Sequence, residues 1–242
     1  CRSVIIPSPP LSTSADTGLS VAVMAMTVDG EIALWTVGLR GFVARKVLNT
    51  SVKPIVKSMS CRSSVATVTV TADNQSNSSP KVLDRLAKLN VHPLEYANAD
   101  VRDAEALDAL FGRHKFGGVI HFAGLKAVGE SVAQPLRYLD NNVSGTIHLL
   151  QAMERADLRR IVFSSSATVY GDPAVVPIPE TAPLTATNPY GRSKLMCEDA
   201  LRELFAADPR WQIAILRYFN PVGAHESGLI GESPNGVPNN LM

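Results

Sequence analysis

A tyrosine and a lysine four positions apart, Tyr190 and Lys194, are the residues of this sequence whose types best suit acid–base chemistry. Positions four apart lie on one face of a helix, so the phenol and the ammonium can reach the same small volume. A free tyrosine loses its proton only near about pH 10, and a neighbouring cation makes the phenolate accessible as a general base near neutral pH. The spacing therefore indicates proton abstraction from a hydroxyl, although taken alone it also fits an ordinary surface helix.

A run of hydroxyl side chains precedes this pair. Residues 161–171 read Ile-Val-Phe-Ser-Ser-Ser-Ala-Thr-Val-Tyr-Gly, which is the pattern of a buried strand that ends in hydroxyl groups. Ser166 or Thr168 could hydrogen-bond a substrate oxygen and the phenol together. The alternative is a turn rich in serine and threonine without a chemical role.

Alternating strands and helices are predicted from residue 65 onward. The patterns of apolar residues predict strands at 65–70, 91–97, 118–124, 160–164 and 213–218, and helices at 79–89, 103–113, 143–156 and 190–206. Such alternation predicts an α/β fold, a doubly wound parallel sheet of the Rossmann type whose ligands bind at the carboxyl ends of the strands. Residues 1–65 lack this patterning, apart from a possible strand near 32–37.

The composition argues against several kinds of partner. The chain has 242 residues, 23 Lys and Arg against 22 Asp and Glu, and no basic stretch, so neither nucleic acid nor a membrane surface is an expected partner. No apolar run approaches the roughly 20 residues of a membrane span. The three cysteines, Cys1, Cys61 and Cys197, suit neither a disulfide framework nor a zinc site. They favour a reducing, cytoplasmic location and no bound metal.

Five segments together resemble the UDP-glucose 4-epimerase family of the extended short-chain dehydrogenase/reductase superfamily. They are Phe-Ala-Gly-Leu-Lys-Ala-Val-Gly-Glu-Ser at 122–131, Asp-Asn-Asn-Val-Ser-Gly-Thr at 140–146, Ser-Ser-Ser-Ala-Thr-Val-Tyr-Gly at 164–171, Asn-Pro-Tyr-Gly-Arg-Ser-Lys-Leu at 188–195, and the segment 216–225. The resemblance covers about residues 71–242. Tyr-x-x-x-Lys marks only the superfamily, whereas the segments at 122–131 and 217–224 are specific to the epimerases.

The resemblance implies a catalytic set, a cofactor and a substrate. The catalytic residues would be Tyr190, Lys194 and Ser166, with Thr168 beside them. The cofactor would be NAD, because Asp73 resembles a ribose-binding carboxylate that disfavours a 2′-phosphate. The residues implied to contact NAD are Asp73, Asn74, Asn77, Ser78, Asp100, Val101, Phe122, Ala123, Gly124, Leu125, Lys126, Asn141, Ser166, Tyr190, Lys194 and Phe219. Those implied to contact a UDP-sugar are Lys126, Ser166, Thr168, Tyr190, Asn220, Asn239, Asn240 and Leu241.

The same resemblance implies a reaction and an assembly. Tyr190 would remove the proton of the sugar 4-hydroxyl while hydride passes from C4 to NAD, leaving a 4-keto sugar. The sugar would then turn its other face and take the hydride back, which interconverts UDP-glucose and UDP-galactose. The helices after Asn141 and after Tyr190 resemble the pair that family members use for a two-fold homodimer.

The sequence departs from the family pattern at two places. In register, residues 46–50 resemble the first strand of the family, but no Gly-x-Gly-x-x-Gly follows it. The chain also ends at Met242, before the C-terminal substrate lobe expected of the family. We therefore expect a divergent or disordered segment at 1–65 and a partial NAD-binding epimerase domain at 66–242, whose activity as an isolated chain is in question. The residues that stand at the expected glycine positions are Ser51, Val52, Pro54 and Lys57.

Two alternatives remain at this stage. The first is a non-catalytic chain that keeps the epimerase scaffold as a binding module or fragment. The second is another NAD-dependent sugar-nucleotide enzyme, such as a uronate epimerase or a 4,6-dehydratase. A dehydratase fits poorly, because Ala167 and Thr168 stand where those relatives carry an acidic pair that expels water.

The glycine positions lead to a prediction about cofactor affinity. The chain as given should bind NAD weakly, because side chains after residue 50 would stand between the backbone N–H donors and the pyrophosphate, and Pro54 has no N–H to offer. Restoring Thr-Gly-Gly-x-Gly-x-x-Gly over residues 50–57 should raise the NAD affinity measured by calorimetry. Equally tight binding by both chains would contradict the alignment of residues 46–57.

Overall fold

The structure is a computed structural model that describes residues 3–5, 20–24, 27–28, 31–32, 69–89, 94–220 and 225–229. For the stretches before residue 70, only the backbone is described. Within these residues the strands are β1 (Ser3–Ile5), β2 (Ser20–Met24), β3 (Thr27–Val28), β4 (Glu31–Ile32), β5 (Thr69–Asp73), β6 (Leu94–Asn98), β7 (Phe116–His121), β8 (Arg160–Ser166) and β9 (Gln212–Tyr218).

Seven of these strands form one sheet in the order β1-β9-β8-β7-β2-β5-β6. Every neighbouring pair is parallel except β1 with β9, which is antiparallel. The strands β3 and β4 pair separately. The strand order reverses at β2, with β5 and β6 on one side and β7 to β9 on the other, and ligands of such sheets bind at the carboxyl ends beside this reversal.

The helices connect these strands. They are α1 (Lys81–Leu89), α2 (Ala104–Arg113), α3 (Val128–Ala133), α4 (Pro135–Tyr138), α5 (Gly145–Arg155) and α6 (Pro189–Ala207). A π-helical turn, Leu139–Ser144, leads directly into α5, and a 3₁₀ turn, Ala167–Tyr170, follows β8. Among the described residues, no helix combines the length and the apolar character needed to cross a bilayer.

The main core lies between the sheet and the helices that cover it. Strands β8 and β9 bury every second residue, including Phe163 and Ile215, while α5 contributes Leu149 and α6 contributes Leu201. Burying each such side chain is worth about 1.5–3 kcal/mol. The same packing fixes where β8 and β9 end, and therefore where the residues after them lie.

The α/β fold with a Rossmann-type parallel sheet is confirmed. The strand predicted at 160–164 extends to Ser166, and the helix predicted at 190–206 spans Pro189–Ala207. The helix predicted at 143–156 begins in the π-helical turn. Of the strand predicted at 65–70, residues 65–68 lie outside the described residues, and the described strand runs from Thr69 to Asp73. The short helices α3 and α4 were not predicted, because their polar and exposed faces leave little periodic signal.

The N-terminal part of the chain differs from its prediction. The central position between β5 and β7 is taken by Ser20–Met24, although the sequence alignment gave it to residues 46–50, which lie outside the described residues. The run Ser-Val-Ala-Val-Met suits a strand paired on both sides, where apolar and β-branched residues are favoured. Near the possible strand at 32–37, the described strand is Glu31–Ile32. The division at residue 65 stays a prediction, but strands from both sides of it share one sheet.

Proline substitution tests which segment forms the central strand. Ala22 pairs with Val70 on one side and with Val119 on the other. Because proline removes a ladder N–H and is tolerated only at sheet edges, Ala22→Pro should strongly lower the free energy of unfolding. Val47→Pro is the matched control and should cost less in the same denaturant titration. A larger loss at Val47 would restore the alignment of residues 46–50 with this strand.

Candidate active site

A cleft opens at the carboxyl ends of β5 and β7, beside the point where the strand order reverses. Its cavity volume is about 40 Å³. Eight of the residues that the sequence analysis connected with NAD line it, together with Ala72, Ser76 and Ala99. Those eight are Asp73, Asn74, Asn77, Val101, Ala123, Gly124, Leu125 and Asn141.

Asp73 is the last residue of β5, and its carboxylate accepts hydrogen bonds from the loop that follows. Its Oδ1 accepts hydrogen bonds from the backbone N–H of Gln75 at 2.6 Å and from Ser78 Oγ at 3.2 Å. Burial raises the pKa of Asp73, and these two hydrogen bonds oppose the rise. Predicted residues Asp73 and Ser78 therefore act together at the edge of the cleft.

A second acidic residue, Asp100, lies between two residues that line the cleft, Ala99 and Val101. Asn74 donates from Nδ2 to Asp100 Oδ2 at 2.8 Å, which joins the ends of β5 and β6. The Arg102 guanidinium also donates to Asp100, and it holds the pKa of that carboxyl well below its usual range. Asp100 is thus ionised and fixed in position, with Val101 lining the cleft beside it.

The loop after β7 approaches the rest of the site closely at Gly124. A Cβ at Gly124 would lie 3.1 Å from Asn142 Oδ1 and 3.5 Å from Lys194 Nζ. The side chain of Asn142 clamps the next residue, since its Oδ1 accepts from Leu125 N at 2.8 Å and its Nδ2 donates to Leu125 O at 2.9 Å. Any side chain at position 124 would therefore press on this clamp.

Tyr190 lies in the first turn of α6. The helix begins there because Asn188 accepts a hydrogen bond from Gly191 N at 2.8 Å, and Pro189 occupies the first helical position. The Tyr190 N–H donates to Ser131 Oγ at 3.1 Å. Only 8% of Tyr190 is exposed. Both its backbone and its ring are therefore held in place before any ligand binds.

Ser166 lies against the phenol of Tyr190. Its Oγ accepts from Thr168 N at 3.3 Å and from Thr168 Oγ1 at 3.0 Å, so its own proton is available for the phenol oxygen. Burial raises the pKa of Tyr190, and the neighbouring Ser166 hydroxyl works against that rise. The three predicted residues Tyr190, Ser166 and Thr168 are thus brought together.

Lys194 lies one turn further along α6. Its Nζ donates to the Ser164 carbonyl at 2.8 Å and lies 5.0 Å from the centroid of the Phe163 ring. Burial lowers the pKa of Lys194 to about 8, and the charges of Cys197 and Glu198 oppose that fall. The pKa of Tyr190 is changed by burial and by Ser166. That Lys194 lowers this pKa directly therefore stays a prediction.

The remaining predicted residues lie around these groups or outside the described residues. Phe122 lies next to Tyr218, with ring centroids 6.5 Å apart. Lys126 is half-buried, whereas Phe219 and Asn220 are exposed beyond the end of β9. Residues Asn239, Asn240 and Leu241 lie outside the described residues. The binding roles of all these residues stay predictions.

Sequence reasoning missed two residues that hold the site together. Asn142 is buried and, besides clamping Leu125, donates to Ser193 Oγ at 3.0 Å, which links the cofactor-side loop to α6. Ser131 receives the Tyr190 N–H. Both residues belong to the motifs given in the sequence analysis. A single sequence nevertheless shows no pattern that marks an amide or hydroxyl as one that bonds other parts of the chain after folding.

Comparison with known proteins agrees with this geometry. A model of the NAD dependent epimerase/dehydratase family matches residues 56–237. The UDP-glucose 4-epimerase of Bacillus subtilis is 57% identical over 173 residues, which are 72% of this chain and 51% of that protein. The chain thus spans about half the length of the curated relatives it matches.

Solved structures give the same result. The UDP-glucose 4-epimerase of Bifidobacterium longum, in complex with NAD⁺ and UDP, matches with a TM-score of 0.72 and 43% identity over 92% of this chain and 60% of that one. The enzyme of Stenotrophomonas maltophila, with NAD and formylated UDP-arabinopyranose, matches with a TM-score of 0.70 and 47% identity over 72% and 52%. The resemblance inferred from the five motifs is confirmed, and the chain belongs to the NAD dependent epimerase/dehydratase family.

Proposed function

We propose that this chain carries the cofactor-binding and catalytic part of a UDP-glucose 4-epimerase, which interconverts UDP-glucose and UDP-galactose through a 4-keto intermediate. The observation that carries the proposal is the meeting of Ser166 and Tyr190 at the sheet edge that also bears the Asp73 cleft, with Lys194 on the same helix. The similar proteins named UDP-glucose 4-epimerase support it.

The residues of the cleft fit NAD as its cofactor. Asp73 presents a carboxylate at the end of β5, where a ribose with two free hydroxyls can donate to it and a 2′-phosphate would be repelled. Gly124 lines the cleft, and the absence of a Cβ there lets the loop after β7 lie closely against Asn142 and Lys194. When bound, NAD would take a hydride from the sugar C4 and return it, and its positive ring would favour the phenolate of Tyr190.

The side chains of this chain would handle the proton. Tyr190 accepts it from the 4-hydroxyl and gives it back, while the Ser166 hydroxyl donates to the phenol oxygen and stabilises its ionised form. Thr168 holds the Ser166 oxygen from the other side. With a pKa of about 8, Lys194 is mostly protonated at neutral pH and supplies positive charge behind the cofactor loop.

A cytoplasmic location and a homodimer complete the proposal. In the described residues, the cysteine Cys197 is free and buried, as a reducing location allows. Helices α5 and α6 expose apolar side chains side by side, with Ile147 40% and Met196 48% exposed. The groove between these helices is lined by Leu150, Ala200 and Leu204. Two such surfaces would cover each other in a two-fold dimer.

Replacing Tyr190 tests the chemistry. In a chimera that carries residues 71–242 in place of the matching half of the Bacillus subtilis relative, Tyr190→Phe should lower turnover by about two to four orders of magnitude, as loss of a general base does. Binding of NAD and of UDP-sugar should persist. Tyr138→Phe is the matched control, since its hydroxyl bonds Glu130 instead, and it should keep most of the activity. A near-normal rate in Tyr190→Phe would rule out Tyr190 as the base.

Introducing a charge on the exposed face of α6 tests the proposed dimer. Sedimentation of the chain at micromolar concentration should give a dimer, and Met196→Glu should convert it to a monomer because a carboxylate would be buried in the interface. Leu136→Glu, at a 79% exposed apolar residue on α4, is the control and should leave the dimer intact. A parent chain that sediments only as a monomer would argue against the dimer.

A further inference from the structure

A buried ion pair lies behind the segment that carries Ser166 and Thr168. The side chain of Glu198, on α6, is 0% exposed, and that of Arg217, on β9, is 6% exposed. Arg217 donates from Nε to Oε1 at 2.9 Å and from Nη2 to Oε2 at 2.6 Å. Two parallel charge-assisted hydrogen bonds fix the orientation of both groups.

The ion pair holds both ends of the segment 165–170. Ser165 Oγ donates to Glu198 Oε1 at 2.5 Å. At the other end, Arg217 donates from Nη1 to the Tyr170 hydroxyl at 2.8 Å, and its guanidinium lies 4.9 Å from the centroid of the Tyr170 ring. Ser166 and Thr168 lie between these two anchored residues. A change in the ion pair would therefore shift the backbone that presents their hydroxyls.

Ser165 and Ser166 are the last two residues of β8, and both meet groups of α6. Ser165 donates to Glu198, and the next residue, Ser166, lies near the phenol of Tyr190. Glu198 lies eight positions after Tyr190 on α6, so it links the helix of the phenol to the strand of the hydroxyl.

Stability alone gives little reason for an ion pair at this place. Removing two charges from water costs several kcal/mol, and apolar side chains of similar volume often stabilise a core equally well. Apolar side chains lack direction, however. The bonds to Ser165 and Tyr170 each require a partner at one angle and distance, which suits a group that must hold a neighbouring segment in register.

We propose that Glu198 and Arg217 are positioning residues, whose ion pair holds segment 165–170 against α6 in the orientation in which Ser166 donates to Tyr190. Both residues act through Ser166. The inference rests on the proposed role of Tyr190 as the base. It concerns how the base is held, so it can fail while the proposed function stands.

A single reporter on the phenol tests this inference in the full chain. A 3,5-difluorotyrosine at position 190 titrates at lower pH than tyrosine, and its ¹⁹F resonance reports the pKa of this one phenol. Ser166→Ala should raise that pKa, because it removes a donor to the phenolate. Glu198→Gln should raise it in the same direction and by no more than Ser166→Ala. Circular dichroism confirms that each variant is folded.

The direction in which the pKa of the phenol shifts distinguishes a positioning role of Glu198 from a direct effect of its charge. Neutralising Glu198 without moving Ser166 would only remove a negative charge near the phenol, which would lower the pKa of the phenol instead. Asp199→Asn is the matched control, since it removes the same charge at the next position of α6. Asp199 is exposed and accepts from Arg202, whose bond to Glu198 stays in place in this variant. Asp199→Asn should leave the titration unchanged. An unchanged or lowered pKa in Glu198→Gln, or an equal rise in Asp199→Asn, would overturn the inference.

Two further variants cover the remaining outcomes. Ser165→Ala removes one anchor and keeps the ion pair, so it should also raise the pKa, and it decides the matter if Glu198→Gln does not fold. In Ser166→Ala, adding Glu198→Gln should cause no further rise, and an additional rise would contradict action through Ser166. If Ser166→Ala itself leaves the pKa unchanged, the pairing of Ser166 with Tyr190 is wrong, which overturns this inference and that part of the proposed function. The Tyr190→Phe turnover test stands apart from all of these.

Discussion

The close packing of α6 against the ends of β8 and β9 is the constraint on which the candidate site depends. A Cβ at Gly191 would lie 2.8 Å from the Thr168 carbonyl oxygen, so only glycine lets the helix approach the 3₁₀ turn this closely. This approach brings the phenol of Tyr190 against Ser166. It also buries Lys194 and Glu198 one and two turns further along the same helix face. One packing contact thus positions the hydroxyl, the phenol and two charges.

Because Lys194 and Glu198 of α6 are buried, each needs a hydrogen-bonding partner on a neighbouring strand. Lys194 is held by the Ser164 carbonyl, and Glu198 by Arg217, so neither charge is left unpaired away from water. The charge of Glu198 also opposes the fall that burial causes in the pKa of Lys194. Packing and electrostatics are therefore coupled, because the same strand ends that receive the helix supply the groups that keep its charges ionised.

The cofactor side of the cleft depends on a second set of contacts. Asn142, in the π-helical turn before α5, joins Leu125 to Ser193 and thereby links the loop after β7 to α6. π-Helical turns are uncommon and occur often at functional sites. Here the turn directs an amide inward between the two halves of the site. The cleft at Asp73 and the phenol at Tyr190 belong to one connected structure for this reason.

The sequence by itself determined the alternation of strands and helices from residue 65 onward, since the periods of apolar residues follow from which face of each element is buried. It also determined the family and pointed to the candidate acid–base residues, because Tyr190, Lys194 and Ser166 lie in motifs of fixed spacing. Only the tertiary structure decided which N-terminal segment pairs between β5 and β7, since strand pairing joins residues far apart in the chain and the local pattern does not specify the partner. It alone revealed Asn142 and the Glu198–Arg217 pair, because partners 19 or 51 positions apart meet only after folding.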